Sequence, residues 1–155
     1  MAHHIYTTPG FLVHSAPHAE AGKYFLVFTR ELGMIGCTAQ GVRLSQSKLR
    51  YYTQDYSYSL FSLVRGKEVW RMVGAKEIEG VGEVKEENMK LWVQILLLLK
   101  RLVSGEEKNE GLFKIIENLH SFLTQEVKEK ELVEYLIVLR ILHKLGYVQN
   151  SFGEI

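Results

Sequence analysis

Only one cysteine, Cys37, and two prolines, Pro9 and Pro17, occur in the 155 residues. A lone thiol excludes an intrachain disulfide framework, and its apolar β-forming surroundings point to packing rather than reactivity, so a reducing, cytoplasmic setting is expected. No apolar run approaches the roughly 20 residues of a membrane span. The longest, Leu91 to Leu99, is interrupted by Gln94 and followed by Lys100-Arg101. The first ten residues lack the apolar core of a signal peptide, so a soluble chain with no membrane association is expected. Motifs of familiar chemistries are missing too. No glycine loop runs into Lys-Ser or Lys-Thr, and neither G-x-S-x-G nor H-E-x-x-H occurs. The six histidines form no ligand set: His14 and His18 straddle Pro17, and His120 and His143 stand alone on helical segments. The residues therefore point away from an enzyme, a bound metal or a cofactor.

One further absence is local. Between Leu32 and Gln54 there is no carboxylate, while Arg43, Lys48 and Arg50 fall within eight positions. The whole chain carries a formal charge of only +1, but it divides unevenly. Residues 1–80 hold 9 basic against 6 acidic side chains, and residues 81–155 hold 10 against 12. A broadly basic surface is excluded, so any contact with nucleic acid must be confined to this segment. Its three bases suit backbone phosphates, and the neighbouring Tyr51 and Tyr52 offer rings on which bases can stack. The same residues would serve equally as an ordinary solvated loop. Tyr56 and Tyr58 alternate with Ser57, Ser59 and Phe61, so one of the two sets is expected in a core.

What is present in the first half reads as β. Strands are expected over Gly10 to Ser15, Tyr24 to Thr29, Met34 to Gln40, Ser57 to Val64 and Val69 to Ile78. Gly33 supplies a tight reversal between the second and third, and Arg65-Gly66-Lys67-Glu68 one between the fourth and fifth. Five short strands with an irregular excursion, Val42 to Thr53, between the third and fourth follow the plan of an OB-fold barrel. After Gly80-Val81-Gly82 the pattern changes to helical. Met89 to Val103 is apolar on most sides, with Lys90, Gln94 and Arg101 along one face. Leu112, Ile115, Ile116, Leu119, Phe122 and Leu123 mark a second helix. Glu131 to Leu145 marks a third, ended by Gly146 at a left-handed cap. The expected organisation is mainly β plus α, with an amino-terminal OB-fold domain over residues 1–80 and a small helical domain over residues 83–155. Residues 1–82 alone are expected to fold poorly.

Several strings carry a resemblance. P-G-F-L-V-H-S at Pro9 to Ser15, H-A-E-A at His18 to Ala21, T-R-E-x-G at Thr29 to Gly33, A-x-G-x-R at Ala39 to Arg43 and S-K-L at Ser47 to Leu49 follow one another with matching gaps. Together they resemble the amino-terminal domain of RecO, the bacterial recombination mediator. L-x-x-L-R-I-L-x-K-L-G-Y, from Leu136 to Tyr147, is similar to the end of the helix that precedes the family's zinc-binding segment. Many members continue past Gly-Tyr with four cysteines and further helices; here eight residues follow, so the sequence reads as a form without that zinc site, either short by nature or missing part of the family's helical domain. The resemblance implies a non-enzymatic mediator that binds single-stranded DNA, assists recombinase loading and promotes strand annealing. It also implies two protein partners: the tail of single-stranded DNA-binding protein and a RecR-like mediator. For the tail, Lys100, Arg101 and Arg140 are the candidate bases beside an apolar surface. Gln40, Leu44 and Gln46 stand where family members are often basic. That leaves open a protein-interaction module that docks the tail without binding DNA.

Overall fold

A computed structural model describes residues 3–149. The chain forms five strands, β1 (Ile5–His18), β2 (Gly22–Thr29), β3 (Gly33–Ala39), β4 (Tyr58–Arg65) and β5 (Trp70–Lys76), with a one-turn helix, α1 (Leu49–Tyr52), between β3 and β4. A 3-10 turn at Glu86–Asn88 leads into α2 (Met89–Leu102), and α3 (Glu110–Leu123) and α4 (Lys130–Lys144) follow. By contacts the chain divides into two compact units. One takes the residues up to Val81 together with Leu96–Asn109; the other takes Gly82–Ile95 and the chain from Glu110 onward.

The first unit is a closed barrel in the order β1-β2-β3-β5-β4. The neighbours are antiparallel except β3 and β5, which pair parallel at Cys37↔Trp70 and Thr38↔Arg71. This is OB-fold topology, and closure leaves no free sheet edge. β1 is much longer than its sequence pattern suggests because it pairs with both β2 and β4, and it runs through Pro9. Polar Thr7 and Thr8 hid that extension. Pro9 has no N–H to give, but its carbonyl accepts from Arg30 N at 3.0 Å. A register shift between Leu12 and His14 breaks the alternation, so Phe11, Leu12 and Val13 are buried in succession.

The barrel interior holds Leu12, Phe25, Val27, Ile35, Cys37, Phe61, Leu63, Trp70 and Met72. On β4 the inward set is Ser59, Phe61 and Leu63, leaving Tyr58 half-buried and stacked on Phe11 at 4.3 Å. Burial pushes the Cys37 thiol up to about 12, which makes it an inert packing group. Gly33 has φ +72°, and a Cβ there would collide with the backbone of Glu107. Its lack of a side chain thus serves both the β2–β3 reversal and the close approach of the loop after α2. That loop is tied to the barrel. Gly105 O accepts from Met34 N at 3.1 Å. Glu106 accepts from Trp70 Nε1 at 2.9 Å and from Arg65 at 2.8 Å, and Lys108 meets Glu31 at 2.8 Å.

In the second unit, Asn88 is fully buried and donates its amide to the carbonyls of Leu123 and Gln125 at 2.9 and 2.8 Å. Leu112, Phe113, Ile116, Leu119, His120 and Leu123 form the buried face of α3. This face differs from the apolar residues that mark the helix in the sequence. Phe122 is 48% exposed, because it lies about 100° around the helix from Leu123. His120 is buried instead, its ring edge-on to Trp92 at 5.1 Å. Burial lowers its pKa to about 4, against the opposing pull of Glu117. α4 ends as its Leu-Gly-Tyr predicts: Gly146 has φ +83°, its N–H bonds His143 O at 3.0 Å, and Tyr147 N bonds Leu142 O at 2.9 Å. The two bonds together are a Schellman cap.

Candidate nucleic-acid interface

The excursion between β3 and β4 leaves the barrel at Gly41, whose φ of +67° turns the chain, and is anchored by buried Val42 and partly buried Leu49 against the barrel core. Between these anchors, Arg43, Leu44, Ser45, Gln46 and Lys48 are exposed. α1 is held at its end by Thr53, whose hydroxyl donates to Leu49 O at 2.7 Å. The carbonyl of Tyr52 accepts from Ser57 and Ser59 hydroxyls at 3.3 and 3.0 Å, which ties the turn to β4.

This frame sorts the candidate residues. Lys48, at the N-cap, and Arg50 are exposed and make no ion pair or side-chain hydrogen bond among the described residues. Tyr51 is 67% exposed and meets Tyr52, half-buried, edge to face at 5.0 Å. Lys48, Tyr51 and Tyr52 stand at i, i+3 and i+4, so helical geometry brings them to one side of α1, while Arg50 projects from another. Arg43 differs. Its backbone N–H bonds Ala21 O at 3.0 Å, and its guanidinium donates to the carbonyls of Ala19, at 2.9 Å, and Glu20. It staples the excursion to the β1–β2 turn, and part of its donor fork is already used.

The partner-side candidates fall in different units. Lys100 and Arg101 are exposed in the last turn of α2, in the barrel's unit, whereas Arg140 is exposed on α4 in the other. Leu97, 40% exposed, continues the face of Lys90, Gln94 and Arg101.

Other groups on the barrel surface did not stand out in the sequence. OB-folds commonly bind through the outer face of strands 2 and 3 and the loops after strands 1 and 4. On that face Tyr24 packs where a Cβ at Gly36 would sit, so the glycine makes room for a half-buried ring. The alternation of β2 with a glycine on the facing strand was the available signal. At the end of β4, Arg65 is engaged by Glu106 and lies over the Trp70 ring at 4.5 Å, while Lys67, in the loop, and Arg71, on β5, are exposed. Among the described residues no group of three His, Cys, Asp or Glu could hold a metal ion, and no helix is long and apolar enough to cross a membrane.

Residues 1–81 match the family model described as "Recombination protein O N terminal". Curated relatives extend the similarity across the helices. The DNA repair protein RecO of Alkaliphilus metalliredigens is 26% identical over 141 residues, covering 90% of this chain and 57% of the relative. That of Heliobacterium modesticaldum is 26% identical over 144 residues, covering 92% and 52%. That of Clostridium perfringens is 26% identical over 140 residues, covering 89% and 57%. The chain thus spans about half the length of the curated relatives it matches.

Proposed function

Given that the chain belongs to the RecO family, we propose that it acts in DNA repair and recombination as a non-enzymatic adaptor. In this reading it binds single-stranded DNA along the β3–β4 excursion and holds partner proteins through its helices. The observation that carries the reading is the composition and exposure of α1: Lys48, Arg50 and Tyr51 all face solvent on a turn anchored to the barrel, within a segment free of carboxylates. Lys48 and Arg50 neutralise phosphates, and Tyr51 stacks on a base, worth about 1 to 3 kcal/mol where formed. Arg43 orders the excursion through the Ala19 and Glu20 carbonyls and adds charge more than contact. By family membership, the adaptor would receive the tail of single-stranded DNA-binding protein and a RecR-like partner, assist recombinase loading and promote annealing. Lys100, Arg101 and Arg140 are the bases offered to the tail, the first two in one unit and the third in the other.

One observation favours a second reading, a protein-docking module without DNA contact: of the three bases in the excursion, Arg43 already spends donors on carbonyls. Fluorescence anisotropy of a labelled oligo(dT), at low and moderate salt, separates the two. Binding that weakens steeply with salt, and that becomes weaker and less salt-dependent in Lys48→Ala/Arg50→Ala with the fold intact by circular dichroism, supports the adaptor. No binding at low salt rejects it in favour of the docking module.

A further inference from the structure

α4 is apolar on two opposite faces. Ile137 and Ile141 are buried, and Val133, Val138 and Leu142 flank them half-buried. About 180° away lies a second stripe of Leu132, Tyr135, Leu136 and Leu139 at 51, 67, 52 and 53% exposure. Their i, i+3, i+4, i+7 spacing is that of a helix seam, not of scattered surface leucines. We propose that this stripe is a self-association surface on which α4 of a second copy packs antiparallel.

The occupant is argued from symmetry and charge. A two-fold axis between antiparallel helices sets residues i and j opposite when their numbers share one sum. Pairing Leu132 with Leu139 and Tyr135 with Leu136 satisfies a single sum, so all four apolar side chains bury one another in one register. In such a pair, each flank of the seam meets the same flank of the other helix. Arg140 lies on one flank, and Glu129, at the N-cap, lies on that flank at the other end of the stripe. In the apolar register Arg140 arrives within about half a helical turn of the partner copy's Glu129. Both are exposed, and neither side chain makes an ion pair among the described residues. The pairing therefore closes two identical salt bridges, the role that flanking charges play in antiparallel seams. One helix face falls short of the about 1,200 Å² of a standard interface, so association is weak and depends on concentration.

Sedimentation velocity of the full chain over a concentration series tests this. The expected result is a reversible rise toward twice the monomer mass, abolished by Leu136→Glu. Glu129→Arg weakens it about tenfold by opposing two like charges, and Glu129→Arg/Arg140→Glu restores it. Circular dichroism melts check that each exposed substitution leaves the fold intact. A wild type that stays monomeric to its solubility limit overturns the proposal and leaves the stripe to a different polypeptide. So does a dimer indifferent to Leu136→Glu, or a Glu129→Arg defect that Arg140→Glu does not repair.

Discussion

The barrel and α4 use apolar side chains in opposite ways. In the barrel, five closed strands turn Phe25, Phe61, Leu63 and Trp70 fully inward, and its polar excursion stands on that rigid base. α4 exposes four large apolar residues and buries two, with Leu132, Leu136 and Leu139 more than half exposed. Closure satisfies a sheet within its own chain, whereas a helix with two apolar faces is satisfied only by a neighbour on each side. The contrast predicts where function is electrostatic and where it is packing.

The most severe way to break this comparison is to remove the barrel's helical support. A fragment of residues 1–82 lacks the loop that gives Met34 N its acceptor and Trp70 Nε1 its carboxylate. It is expected to show no cooperative thermal transition, whereas a sharp melt would make the barrel self-sufficient. Next in size, Phe61→Ala should cost about 3 to 5 kcal/mol in urea unfolding, and Leu136→Ala at most about 0.5 at low protein concentration. Equal costs would erase the distinction between the two apolar surfaces.

A smaller effect sharpens the helical side. His120 has a native pKa of about 4, below its ordinary 6.5, so the unfolded chain binds a proton that the native chain excludes. Stability should therefore fall as pH drops from about 6.5 toward 4, by up to about 3 kcal/mol from this group. His120→Phe should flatten that part of the pH profile; an unchanged slope would assign the loss to other groups.

Much of the barrel was legible because turn chemistry and alternation agree there. Gly33 takes the positive φ that its place between two apolar runs demands, and Leu145-Gly146-Tyr147 closes α4 as its spelling implies. The remainder depends on long-range pairing that no local window contains. β1 reaches back to Ile5 only because β4 pairs with it. Glu106 reads as part of a charged loop, yet it is the acceptor for Trp70, 36 positions earlier. Period counting groups Phe122 with the apolar residues that mark α3 and passes over His120 because it counts only apolar residues; the step from Ile116 to His120 to Leu123 places the imidazole on the buried face. Composition marks Lys48, Arg50 and Tyr51 as candidates, while the diversion of Arg43 to the β1–β2 turn rests on a contact between residues far apart in the sequence.

The salt dependence of oligo(dT) affinity tests most directly whether α1 carries phosphate contacts. Each contact to a single strand contributes about 0.7 to the slope of log affinity against log salt, so Lys48→Ala/Arg50→Ala should flatten the slope by about 1.4. A double variant that binds with the wild-type slope would contradict the account and move the DNA to another face of the barrel.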